Sequence, residues 1–157
     1  MKKPMVRAKN LLSNRFVQLI EENHESLTEI FMNDLLKHPE TTAYRRADHD
    51  EIYNASKMMY KDLSQWISRE FSKQKIEERY IRMGRERFDM GIPIQQVMKG
   101  LILQRRHIWL FVMNRMYDDM TDYMEALELN NRVTLYFDRA MLASLKGYME
   151  MMNRQLR

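Results

Sequence analysis

Four histidines, no cysteine, and two charges set where apolar residues are expected are the chemical resources of this 157-residue chain. The histidines are His24, His38, His49 and His107. A metal site needs several ligands converging on one point, and none of the four pairs with a second histidine or a carboxylate at metal-ligand spacing. "HESLTE" sets Glu25 and Glu29 near His24 and "HDE" sets acids beside His49, groupings that are usual on charged helices. His107, in the run "QRRH", is the best single histidine for a haem axial ligand, with a packed or surface imidazole as the plain alternative. With no cysteine, structural disulfides and thiolate chemistry are excluded. There is no Gly-rich phosphate loop, no G-x-S-x-G elbow and no H-E-x-x-H, so no catalytic residue is assigned and the chain reads as a non-enzyme.

The two misplaced charges are Arg87 and Asp138. Arg87 shares a helical face with Ile76, Tyr80, Met83 and Met90, and Asp138 falls between Thr134, Met141 and Leu145. An isolated charge in a core is too costly to keep, so each requires a partner. One reading pairs Arg87 with an acid such as Asp138, or lets its head snorkel to solvent. The other makes Arg87 the anionic-group contact of a ligand pocket formed by Tyr80, Met83, Arg87, Met90, Arg105 and Asp138. The 16 methionines fit a small apolar ligand in an adaptable pocket as well as plain core filling.

Those residues must be positioned by helices. Low glycine and proline with abundant Met, Leu, Arg, Lys and Glu favour an all-α domain. The apolar period predicts five segments. The first covers about Val6 to Leu36, with Leu12, Phe16, Leu19, Ile20, Leu27, Ile30, Phe31 and Leu35 inward, and Pro39 stops it. After the polar loop "TTAYRRA", Asp48 caps a helix from about His49 to Phe71. Ser72 is a plausible cap for a third, about Lys73 to Met90, which Gly91 closes in a left-handed turn. Pro93 opens a fourth, sandwiched helix that runs to about Tyr117. "DDMTD" turns the chain into a last helix, about Tyr123 to Gln155. Its stripe is Leu127, Thr134, Leu135, Met141, Leu142, Leu145, Tyr148, Met149 and Met152. Residues 1–157 form one domain. The last helix meets no stop signal before Arg157, so the chain reads either as the N-terminal part of a longer signalling protein or as a frayed natural end.

The net charge of +4 and a pI near 9.3 raise a third function class, a basic helical nucleic-acid binder. Between Arg69 and Arg106 ten Lys/Arg face five Asp/Glu. Helix-spaced pairs such as Glu78, Arg82 and Glu86 make a solvated face the simpler account, and no recognition helix is evident, so no nucleic-acid partner is expected. No apolar run reaches the roughly 20 residues of a membrane span and no signal peptide opens the chain, so the expectation is a soluble, cytoplasmic protein with no membrane partner.

"YIRMGRERFDMGIPIQQVMKGLILQRRHIW", residues 80–109, resembles the proximal region of globin-coupled sensors. Their pattern is an aliphatic residue and glycine, two variable residues, the haem-binding histidine, two more variable residues, then aliphatic-Gly-aliphatic-Pro. Met83 and Gly84 match its start, Met90, Gly91, Ile92 and Pro93 match its end, and Arg87 stands at the histidine position. Arginine stays protonated and cannot ligate iron. The sequence therefore resembles the non-haem globin sensor domains of RsbR-type stressosome co-antagonists and related histidine-kinase sensor domains. "LYFDRAMLASL", residues 135–145, resembles the last helix of that family. The resemblance implies a globin-like fold of five to seven helices and no cofactor. It implies a homodimer through the C-terminal helices that passes a stress signal to a downstream protein or to an output domain such as a kinase or cyclase. A haem-binding gas sensor using another histidine is the alternative.

Overall fold

The computed structural model describes residues 14–68, 73–116 and 119–157. Among these the chain is all helical, with no strand. The α-helices are α1 (Arg15–Glu22), α2 (His24–Lys37), α3 (His49–Lys61), α4 (Leu63–Trp66), α5 (Lys73–Asp89), α6 (Ile94–Met113) and α7 (Met120–Gln155), with a 3₁₀ segment at Thr42–Arg46. The 36 residues of α7 make it the longest element, about 54 Å at the standard rise. Leu12, Ser72, the start of the first expected helix and the ends of the second and fourth at Phe71 and Tyr117 lie outside the described residues.

Two expected helices are broken, each at an Asx residue. Asn23 (φ −106°, ψ 24°) divides α1 from α2, and Asp62 (φ −109°, ψ 28°) divides α3 from α4. Both adopt the bridge conformation, which turns the axis without losing the apolar period, so periodicity alone does not register the bend. The bends are joined: the Glu21 carboxylate at the end of α1 accepts from both the backbone N–H and the hydroxyl of Ser64, each at 2.8 Å. It thereby satisfies an N-terminal donor of α4 from another helix. The expected cap at Asp48 is present, its Oδ1 accepting from Glu51 N–H at 3.2 Å. The last helix begins earlier than the "DDMTD" turn suggests, because Asp119 caps it by accepting from Asp122 N–H at 2.8 Å.

The tightest contact is between α5 and α7. A Cβ built on Gly84 would lie 2.0 Å from the Ser144 carbonyl oxygen, and one on Gly147 would lie 2.0 Å from that of Ile81. The two backbones touch, and only glycine at both positions permits it. The inward face of α7 is accordingly built from Ala140, Ala143, Ser144 and Gly147, with Leu129, Val133, Tyr136 and Phe137 earlier in the helix. This corrects the expected stripe. Leu127, Leu135, Leu142, Leu145 and Met149 are exposed, Leu142 at 70 %. Ile30 of α2 is likewise exposed. A hydropathy pattern rewards large aliphatics, whereas close helix approach selects small residues.

Gly84→Ala and Gly147→Ala should each destabilise by about 3 kcal/mol or more, because the obstruction is backbone that cannot rotate aside. Ser144→Ala, at the same contact, should be neutral or stabilising, since its hydroxyl is buried with no hydrogen-bond partner among the described residues. Urea unfolding of the three variants checks both statements.

Candidate functional site around Arg87

Ile76, Tyr80, Gly84 and Arg87 form the buried stripe of α5, so Arg87 follows directly on the glycine that seats the helix against α7. Its backbone is held by the helix end. Gly91 N–H donates to the Phe88 carbonyl at 2.9 Å and Ile92 N–H to that of Arg87 at 3.1 Å, with Gly91 at φ 77°. This pair of bonds is a Schellman ending, and it needs a left-handed residue at position 91. Ile92 is fully buried and its carbonyl accepts from the Tyr148 hydroxyl at 2.7 Å, which ties the turn to α7. A cation in the last turn also lies at the favourable end of the helix dipole.

Arg87 is 3 % exposed. Its guanidinium meets neutral groups, with Nη1 3.9 Å from Met90 Sδ and the Tyr44 hydroxyl as a further side-chain hydrogen-bond partner. Among the described residues no carboxylate oxygen lies within 4.0 Å of it. It lines a cavity of about 30 Å³ shared with Tyr44, Ser56, Arg79, Tyr80, Met83 and Gln104. That is room for roughly two waters, tenfold below the ~300–1,000 Å³ of sites for drug-sized ligands.

Two phenols, Tyr44 and Tyr80, line the cavity, and Tyr60 and Tyr136 are buried nearby in the core. Tyr44 comes from the 3₁₀ segment, which α6 anchors through Gln96 Oε1 accepting from Ala43 N–H at 2.8 Å. The hydroxyls of Tyr80 and Tyr136 are hydrogen-bonded to each other. Tyr60 donates to the Gln104 carbonyl at 3.0 Å. Arg79 donates to the Ala55 carbonyl at 3.2 Å and stacks over the Trp66 ring, 5.0 Å from its centroid. Burial pushes the Tyr60 and Tyr136 hydroxyls well above the ordinary tyrosine value. It also raises those of Tyr44 and Tyr80, against the pull of Arg87 on the first and chiefly of Arg79 on the second.

Of the residues expected at the pocket, Tyr80, Met83 and Arg87 line it, and Met90 touches Arg87. Arg105 is half-buried on α6 away from the lining, and Asp138 is exposed. Asp138 therefore does not stand in the core as the sequence pattern suggested: the stripe that it interrupts is the outward one. His107 Nε2 lies 2.8 Å from Asp34 Oδ2, and its ring meets Phe31 edge-on. No three His, Asp or Glu among the described residues are grouped to hold a metal ion. Tyr44, Ser56, Arg79 and Gln104 escape the sequence reading. Tyr44 sits in "TTAYRRA", where no period marks an inward residue; its one signal is being the aromatic residue of a polar loop.

With no carboxylate stranded by its removal, Arg87→Met should stay within about 1 kcal/mol of wild type or be more stable, unlike the roughly 3–5 kcal/mol lost when one member of a buried ion pair is removed. Thermal and urea unfolding measure this. The tyrosines set a second expectation. Their folded-state values are raised, so their contribution to stability is complete below the unfolded value of 10.0 and is lost as pH climbs above it. Tyrosinate absorbance followed against pH should show the buried phenols ionising together, in step with loss of helix by circular dichroism. Compared with known proteins, the chain matches no family model and no curated relative.

Proposed function

We propose that this chain is a non-enzymatic sensor or regulatory domain of bacterial signal transduction, globin-like in fold and without haem. In it Arg87 holds the acidic group of a small ligand, and the domain pairs with a second copy through its last helix. The observation that carries the reading is the buried guanidinium of Arg87, which lines a cavity and has no carboxylate in ion-pairing range among the described residues. A charge so placed needs an acceptor, and guanidinium matches a carboxylate or similar anion in geometry and charge. Its place in the sequence, between "MG" and "MGIP", is that of the iron-binding histidine in the pattern that the chain resembles.

Pairing is supported by the outward face of α7. Met120, Met124, Leu127, Leu135, Leu142, Leu145 and Met149 are exposed, and at 100° per residue they fall on one side of the helix. Asn131 and Asp138 lie in the same stripe, where polar residues in a helix seam set register. A partner or output domain downstream completes the proposal.

Formate and bromide added at constant ionic strength against gluconate should raise the melting temperature saturably in wild type and not in Arg87→Met. Sedimentation should give a dimer that Leu142→Glu converts to a folded monomer, its melting temperature no longer dependent on protein concentration. The protein should stay colourless after incubation with haem. A sharp Soret band at one haem per chain, lost in His107→Ala, overturns the non-haem reading. Monomer throughout overturns the pairing, and melting indifferent to both anions overturns the role of Arg87.

A further inference from the structure

We propose that Tyr44 is the second ligand-binding residue of the Arg87 cavity, its hydroxyl donating to the anion that the guanidinium holds, and that Gly100 is the positioning residue that admits it. The inference deepens the sensor reading and rests on its assignment of an anion to Arg87.

Tyr44 is buried and lines the same cavity as Arg87, although it belongs to the short 3₁₀ segment between α2 and α3. That segment is clamped from several sides. Gln96 accepts from Ala43 N–H at 2.8 Å, the Thr41 hydroxyl donates to the Leu35 carbonyl at 2.7 Å, and Arg45 Nε donates to the Leu36 carbonyl at 2.7 Å. The phenol is thus delivered on a fixed backbone. Its hydroxyl oxygen passes 3.1 Å from where a Cβ on Gly100 would stand, closer than a side chain at that position comfortably allows. Gly100 lies within the regular helix α6, where glycine is unfavourable by roughly 1 kcal/mol against alanine, so its occurrence there fits a need for that space.

Three of the other polar groups on the wall are committed, and the Gln104 side-chain amide borders the same space. The Ser56 hydroxyl donates to the Ile52 carbonyl at 2.8 Å, the Tyr80 hydroxyl is bonded to that of Tyr136, and Arg79 donates to the Ala55 carbonyl. The Tyr44 hydroxyl oxygen accepts from the Arg87 guanidinium, while its own O–H meets no acceptor among the described residues and faces the same cavity. Arg87 moderates the burial-driven rise of its ionisation, as a cation beside the hydroxyl must. A neutral O–H donor beside a fixed cation selects an occupant that is negative and accepts on more than one side. It disfavours a neutral amide or an amine, which brings donors of its own. Among the described residues Glu51, exposed at the surface and acted on by Glu86 and Asp48, is a carboxylate that feels the Arg87 charge.

The test is bromide and formate binding to the full chain, read from melting temperature at constant ionic strength with gluconate as the inert anion. Wild type, Tyr44→Phe, Gly100→Ala and Arg87→Met are compared, with Glu51→Gln to ask whether that carboxylate is the occupant. Tyr44→Phe should fold as wild type does and bind both anions about tenfold more weakly, the loss of one hydrogen bond to a charged group. Gly100→Ala should weaken binding in the wild-type background and have no further effect on binding in Tyr44→Phe, a non-additivity that a merely structural role does not produce. Unchanged affinity in Tyr44→Phe, with Arg87-dependent binding in wild type, overturns this inference and leaves the Arg87 reading standing. No anion response in wild type overturns both. A response that appears only in Glu51→Gln assigns the acceptor to Glu51 and also overturns the inference. Should Gly100→Ala not fold, the Tyr44→Phe comparison decides alone.

Discussion

The contact of α5 with α7 is the constraint on which the rest of this structure depends. Gly84 and Gly147 let two backbones meet with no side chain between them, each glycine against a carbonyl of the opposing helix. Such an approach fixes the rotation of both helices about their axes, because any other face would bring side chains into the gap. With α5 so rotated, Tyr80 and Arg87 point inward on the same stripe as Gly84. With α7 so rotated, its small residues and aromatics face the core and its large aliphatics face out. The site and the candidate pairing surface are therefore two consequences of one packing decision.

The same contact explains how a charged residue persists inside. Arg87 stands in the final turn of α5, where the Schellman bonds to Gly91 and Ile92 and the Tyr148 hydroxyl on the Ile92 carbonyl hold the chain. Its backbone has little freedom to swing the guanidinium to solvent, and the burial penalty has to be met by the groups around it. Around it the Tyr80 hydroxyl is bonded to that of Tyr136 and the Tyr44 phenol stands on a clamped backbone, both set in an apolar core of Phe31, Leu35, Ile52 and Leu101. Rigidity of this kind favours discrimination, since an unsuitable occupant leaves buried donors unpaired.

Elsewhere the fold is tied by cross-helix polar contacts. Asn14, at the head of α1, accepts from Phe16 N–H and donates to the Glu125 carbonyl of α7, while Arg15 pairs with Asp122 at 2.7 Å. Glu21 reaches Ser64, and His107 reaches Asp34. Among the described residues α2 contributes Phe31 and Leu35 to the cavity, and the outward stripe of α7 is left uncovered. Among the described residues no helix is long and apolar enough to cross a membrane.

The sequence by itself determined the helical class, the Gly91 turn, the Asp48 cap and the place of Arg87 on the apolar face of its helix, since each follows from local chemistry: composition, a residue that tolerates positive φ, a side-chain acceptor at a helix start, and a 3.6-residue period. It also marked the Leu127–Met149 stripe as apolar and Asp138 as its interruption. Which way that stripe faces is not local information. A period identifies two faces of a helix, and the partner decides which is buried. Here glycine, alanine and serine, weak in hydropathy, won the core because backbone approach favours small volume over apolar area. Tyr44 became the neighbour of Arg87 only when α2, the 3₁₀ segment and α6 came together, a juxtaposition between residues far apart in the chain that no spacing rule contains.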